Sequence, residues 1–265
     1  MSQRRQTFAA PIAAAVLFTG CANSDGQDPS NDGPTPEVSA ATETTAEPTS
    51  ADTETTAEPT SADTQRTGAD PAYTQAEIDY LVSVALGSEF TDSPATVRKW
   101  LTDVDIRLNG QPTDADLQTV DDVVADLNAL TPSVHIQVVD TDPDIEVYFV
   151  PLDEFQNYFP EYVDGNWGFF WFWFQGEGEL YKADIAVRSD GIEQDLRSHL
   201  LREELTQSFG LAIDSGEHPN SIFYSEYSEV QEFSELDETI IEMLYRPEIE
   251  TGFTKEDIEA TFSAG

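Results

Sequence analysis

Cysteine is nearly absent from this chain: Cys21 is the only one in 265 residues. An intramolecular disulfide is therefore excluded, and the fold must rest on its core. Positive charge is scarce as well. Twelve Lys and Arg face 52 Asp and Glu, a formal net charge of −40, and lysine occurs only as Lys99, Lys182 and Lys255. A charge of that sign opposes binding to a phosphate backbone, so nucleic acid is not a partner. Long apolar runs are missing too. The longest, Phe8–Thr19, falls well short of the roughly 20 residues that a membrane-spanning helix needs.

What is present at the start is a targeting segment over residues 1–21. Arg4 and Arg5 supply its positive end, the apolar run follows, and F-T-G-C closes it. That ending resembles a lipobox, in which the cysteine is lipidated and becomes the new N-terminus. The reading is a chain anchored by lipid at Cys21 on the extracytoplasmic face of the cell membrane. The arginine pair leaves export by the Sec or the Tat route open.

Residues 22–70 have almost nothing to bury. Thr42–Asp52 (TETTAEPTSAD) recurs word for word as Thr53–Asp63. The repeat lacks an apolar position large enough for a solenoid core, and its proline and like charge favour an extended, disordered tether. Such a segment holds a domain away from a membrane.

The remaining 71–265, about 195 residues, is long enough for one domain with a sizeable core. It holds 41 acidic against 9 basic residues, a net charge of −32. Such a domain repels itself in dilute buffer. At molar salt the Debye length falls to about 3 Å and the repulsion is screened. The composition predicts a protein that works in concentrated salt, with a dedicated cation-binding surface as the alternative.

Within the domain, Thr74 and Glu77 form a capping box at the head of a helix over 74–86. Val104–Leu108 reads as a strand, Thr113 caps a helix through Leu130, and Val134–Val139 and Ile145–Val150 read as strands. Leu117, Val120, Val123, Val124 and Leu127 carry the helical spacing. Gly168–Gln175 (GFFWFWFQ) is bulky on both faces. It is read as a strand buried on both sides, with an aromatic wall toward a cleft or a sugar as the sharper alternative. Ala183–Val187 is the next strand. Helices capped by Ser234 and running over 254–262 close the chain. The alternation favours an α/β (α+β) sandwich: a mixed sheet, then a small helical half.

One stretch breaks the apolar logic. Arg197–Asp214 opens after Gly191 and stops at Gly210. At about 100° per residue, Ile192, Leu196, Leu200, Glu203 and Gln207 share one stripe, with His199 at its border. Leu201, Leu205 and Phe209 occupy the opposite side. A helix apolar on two sides is buried between layers, so Glu203 and Gln207 stand where apolar side chains belong. A buried carboxylate costs several kcal/mol unless paired, hydrogen-bonded or on a metal.

Two resemblances rest on these residues. E-F at 89–90, R-K-W at 98–100, E-E-L-T-Q-S-F-G-L at 203–211, S-I-F-Y at 221–224 and L-Y-R-P at 244–247 resemble an uncharacterised family of exported proteins whose signature is EELTQ followed by LGL. More distantly, the helix resembles that of zincin metallopeptidases, H-E-x-x-H with G-L following in the metzincin branch. That likeness implies a zincin-like mixed sheet with a central helix and a small helical C-terminal half. It sets Glu203 on the first histidine, Glu204 on the catalytic glutamate and Gln207 on the second histidine. Ile213 would stand for a third histidine, and Ser221–Tyr224 for the turn beneath the metal. Both imidazoles of the motif are gone, so zinc chemistry does not carry over on Glu204 alone.

Three readings of the site stay open. Glu203, Gln207, Asp214 and Glu217 offer oxygens to a hard cation such as Ca²⁺. His199, Glu203 and His218 offer a His/Glu/His set to zinc. With no metal at all, Glu203 pairs with Arg98 or Arg202, and Gln207 bonds the 214–224 crossing. His135 is read as packing within its strand. The function expected is a surface binding or scaffold module with a protein or peptide partner. A metal-dependent hydrolase with Glu204 as base, and a purely structural envelope component, are the alternatives.

Overall fold

The computed structural model describes residues 12–14, 73–86, 95–160, 162 and 165–263. Cys21, the tether, most of the leader and the E-F pair at 89–90 lie outside the described residues.

Six strands form one mixed sheet. They are β1 (Ile12–Ala14), β2 (Val104–Gly110), β3 (Ile136–Val138), β4 (Ile145–Val150), β5 (Gly168–Gln175) and β6 (Glu179–Arg188), in the order β1-β5-β6-β4-β2-β3. The pairs β2/β3, β2/β4 and β4/β6 are parallel, and β5 runs antiparallel to β6. The backbone of β1 lies antiparallel on the outer edge of β5.

The helices are α1 (Gln75–Ala85), α2 (Asp114–Leu130), α3 (Phe155–Tyr158), α4 (Gln194–Gln207), α5 (Glu235–Tyr245) and α6 (Lys255–Ser263). Four start at full capping boxes: Thr74 with Glu77, Thr113 with Asp116, Ser234 with Asp237, and Thr254 with Asp257. Each box satisfies two of the backbone N–H groups that a helix start leaves without partners. No helix among the described residues is long and apolar enough to cross a membrane.

Strand alternation divides the apolar residues between two faces. Val104, Ile106, Ile145, Val147, Ile185, Val187, Phe170 and Phe172 join the helices in the main core. On the opposite face Val150, Phe169, Trp171 and Ala186 form a smaller cluster with Phe155, Phe159 and Tyr162. The first five residues of β5 are buried, so its two-sided bulk is explained by packing on both faces.

Helix α4 crosses the inner face, against α2, β5 and β6. All of its residues from Leu196 to Gln207 are buried. Gly210, at φ +101, turns the chain away, and a β-carbon there would stand 1.9 Å from the Arg98 carbonyl oxygen, a conformation and a space that favour glycine. The Trp100 indole and the Tyr245 hydroxyl donate to the carbonyls of Ser208 and Phe209, at 3.0 and 2.9 Å, satisfying the helix end.

Three local expectations change, and one short element is added. His135 is exposed and precedes β3, which is shorter than the pattern implied. Leu117 is 41% exposed, because α2 turns that position away from α4. Strand β6 extends beyond 183–187 at both ends. A 3-10 turn over Leu152–Glu154 runs into α3, bounded by Pro151 and Pro160.

Candidate functional site

Helix α4 holds the unusual chemistry. His199, Glu203 and Glu204 are at 0% exposure and Gln207 at 1%. They stand at this depth because Leu196, Leu200, Leu201 and Leu205 fix the helix between sheet and α2, leaving no solvent-facing side.

His199 Nδ1 lies 2.6 Å from the Val230 carbonyl oxygen. A carbonyl accepts, so Nδ1 carries the hydrogen and Nε2 keeps a lone pair. Burial pushes the imidazole pKa down, against the smaller opposite pull of Val230 and Glu229. Nε2 faces Glu203 Oε2 at 3.6 Å.

One turn on, the Gln207 amide nitrogen donates to Asp214 Oδ1 at 2.6 Å. Its Oε1 is buried and receives no hydrogen bond among the described residues. His199, Glu203 and Gln207 thus rise along one stripe, with the half-buried Asp214 tied to its upper end.

Glu204 points elsewhere. A β-carbon on Gly168 would stand 2.1 Å from Glu204 Oε1. The carboxylate lies against the backbone of β5 in space that any side chain at 168 would fill. Periodicity alone does not single out Gly168. The available signal was its position as the one small residue opening an otherwise bulky strand.

His218 is apart from this group. It is exposed, and its ring meets Tyr80 edge-on at 4.5 Å. Among the described residues no three His, Cys, Asp or Glu side chains gather as a metal-holding group. Stripe and loop therefore do not combine into a His/Glu/His set, whereas His199 with Glu203, and Gln207 with Asp214, are brought together. Glu217 is exposed beside His218.

Of the two arginines expected for Glu203, Arg202 is engaged with another carboxylate. Arg202 binds Asp126 on α2 at 2.7 Å and lies over Phe233. Arg197 binds the fully buried Asp116 at 2.6 Å. Arg98 lies over Phe174, and burial pushes its guanidinium down to about 10.

The turn at Ser221–Tyr224 is pinned from below. Ser221 Oγ donates to Asp237 Oδ1 at 2.5 Å, Ile222 N donates to Asp237 Oδ2 at 3.1 Å, and the Tyr80 hydroxyl donates to Ser221 Oγ at 2.7 Å. Burial pushes the Tyr80 phenol up. Phe223 is fully buried beneath the turn.

Comparison with known proteins places this geometry in context. The family described as "Protein of unknown function (DUF2927)" matches residues 75–264. No curated protein matches the chain. Solved structures that match include two of myroilysin. One is 14% identical with a TM-score of 0.27 and 62% of each chain covered; the other is 13% identical with a TM-score of 0.25 and 63% of each covered. The chain spans less than two thirds of those chains, and similarity at this level carries no chemistry across.

Proposed function

We propose that this chain, which belongs to the DUF2927 family of proteins of unknown function, is a lipid-anchored, extracytoplasmic binding or scaffold module built on a degenerate zincin-like helix. The observation that carries the reading is the use of the polar stripe. His199 reaches Val230, and Gln207 reaches Asp214, so the positions that would grip an ion instead hold two loop segments on α4. Buried polar groups tied to the backbone and to neighbouring loops fix a shape, and a fixed shape suits binding. The partner is a protein or peptide at the cell surface, reached by the tether from a lipid on Cys21.

Concentrated salt is the working medium of this reading, since a net charge of −32 over 71–265 destabilises a compact domain unless screened. The test is metal analysis of the purified protein in molar salt, with Glu203→Ala compared for stability. The reading expects no stoichiometric zinc and a lower melting temperature in the variant. If Cys21→Ser left the protein equally membrane-bound, the anchor would be refuted.

A second reading is a metal-dependent hydrolase with Glu204 as general base. The contact of Glu204 with the first residue of β5 favours it, because it sets a carboxylate beside a strand near the sheet edge. Glu203, His199, Gln207 and Asp214 would supply the ligands, to Zn²⁺ through the imidazole or to Ca²⁺ through the oxygens. Stoichiometric metal, with hydrolysis abolished in Glu204→Gln, would select this reading over the first.

A further inference from the structure

The sheet face turned away from α4 carries, beside its small apolar cluster, a row of charged and aromatic side chains. In register across three strands stand Glu146, Asp184 and Trp171, with Arg107 at the near end of the row. Two residues along β6 and β5, on the same face, are Lys182 and Trp173. Arg107 binds Glu146 through two nitrogens. Lys182 Nζ binds Asp184 Oδ2 at 2.8 Å and lies 4.4 Å from the centre of the Trp173 ring. Two cations thus cancel two carboxylates, in a domain that elsewhere is overwhelmingly anionic.

Aromatic rings flank this neutral row. Trp171 and Trp173 have ring centres 6.4 Å apart, and Tyr148 and Tyr158 are 4.8 Å apart on the other side. Exposure grows outward along β5, from the buried Phe169 to the half-buried Trp173, and Tyr158 is 42% exposed. Between the rings sits Asp184, whose side chain is only 15% exposed. Its Oδ1 is shielded and receives no hydrogen bond among the described residues. Burial raises its carboxyl pKa, with Lys182 pulling the other way and Glu146 adding to the rise. A carboxylate oxygen only accepts, so what is missing there is a donor.

We propose that this face binds a neutral saccharide, with sugar rings laid on Trp173 and Tyr158 and a sugar hydroxyl donating to Asp184 Oδ1. Sugars offer what the row lacks, an uncharged O–H donor, together with C–H faces that pack on aromatic rings. The cancelled charge gives no attraction to an ionic ligand, and the acidic domain around it repels polyanions. A protein partner would call for a broader apolar centre depleted of charge, whereas here ion pairs lie between the rings. The inference goes beyond the binding reading above: it adds a saccharide site on a second face, separate from the protein or peptide partner, and does not rest on α4.

The test uses the full chain carrying Cys21→Ser, purified in molar salt and titrated with cellohexaose and with mannohexaose. Tryptophan fluorescence and calorimetry are the readouts. A saturable change is expected with at least one sugar, weakened at least tenfold in Trp173→Ala and in Asp184→Ala. Tyr158→Ala, at an exposed position, is expected to weaken binding without loss of fold. Glu203→Ala, if it remains folded, should bind as the parent does, so failure of the α4 account and failure of this one are distinguishable. Folded protein that binds neither sugar, or equal affinity in every variant, would overturn the proposal. So would dimerisation abolished by Trp173→Ala, which would make the face a protein contact.

Discussion

Glu204 occupies the space that a side chain at Gly168 would need. A β-carbon there would stand 2.1 Å from Oε1 and 2.9 Å from the carboxyl carbon. Strand and helix are therefore matched at one point, and the smallest substitution on one side must displace the other. Gly168→Ala is expected to cost about 1–3 kcal/mol, the usual range for overpacking. Adding Glu204→Ala should recover much of that loss, a coupling that a double-mutant cycle in urea measures directly.

The Arg197–Asp116 pair, 2.6 Å apart with side chains 7% and 0% exposed, joins α4 to the first turn of α2. Asp116 also accepts from Thr113 N in the capping box and from Gln194 Nε2. Asp116→Ala would leave a buried guanidinium without its partner, so a loss of about 3–5 kcal/mol is expected. Glu248→Ala, which removes the half-exposed partner of Arg246, should cost less than about 1 kcal/mol. Chemical denaturation of the two variants in the same salt checks the contrast.

How far the sequence discloses this molecule depends on the range of the interaction. Capping boxes are local, and Thr74 with Glu77 is readable from three-residue spacing alone. Ile145–Val150 and Gly168–Gln175 are bounded by turn residues and match their strands to the residue. The burial of Glu203 and Gln207 follows from helical periodicity. What the spacing does not show is choice among distant partners. Arg202 lies beside Glu203 in sequence yet binds Asp126, 76 residues away, because α2 packs on that side of α4. The contact of Glu204 with Gly168 is of the same kind, set by how α4 crosses the sheet. The exposure of His135 and Leu117 reflects where neighbouring elements end, which no local pattern encodes.

Acid should weaken the fold through His199. Its folded-state pKa is pushed below 6.5 by burial, so as pH falls through 6.5 the unfolded chain takes up a proton that the folded chain resists. Stability then drops below pH 6.5 and gains nothing from this group above it. Unfolding curves between pH 8 and 5 at constant salt should show a decline that is shallower in His199→Gln, where the titration is removed.

Lys99 predicts the opposite end of the scale. Its ammonium donates to the carbonyls of Leu244, Arg246 and Ile249 at 3.0, 3.2 and 2.5 Å. Burial nevertheless lowers its pKa from 10.5 to about 8, with Glu248 and Glu250 opposing. Between these values the unfolded chain binds more protons, so this group makes stability rise with pH from about 8 to 10.5. Lys99→Met should remove that rise and lower stability overall by the lost bonds to the end of α5, as thermal melts at pH 7.5 and 10 would show.

The central claim is that the stripe of His199, Glu203 and Gln207 holds shape rather than zinc catalysis. Metal content, melting temperature and peptide hydrolysis, measured together in molar salt for the parent, Glu203→Ala and Glu204→Gln, test it most directly. The account predicts no stoichiometric zinc, no hydrolysis in any of the three, and a clear drop in melting temperature for Glu203→Ala. Zinc retained at one ion per chain, with hydrolysis present in the parent and lost in Glu204→Gln, would contradict it.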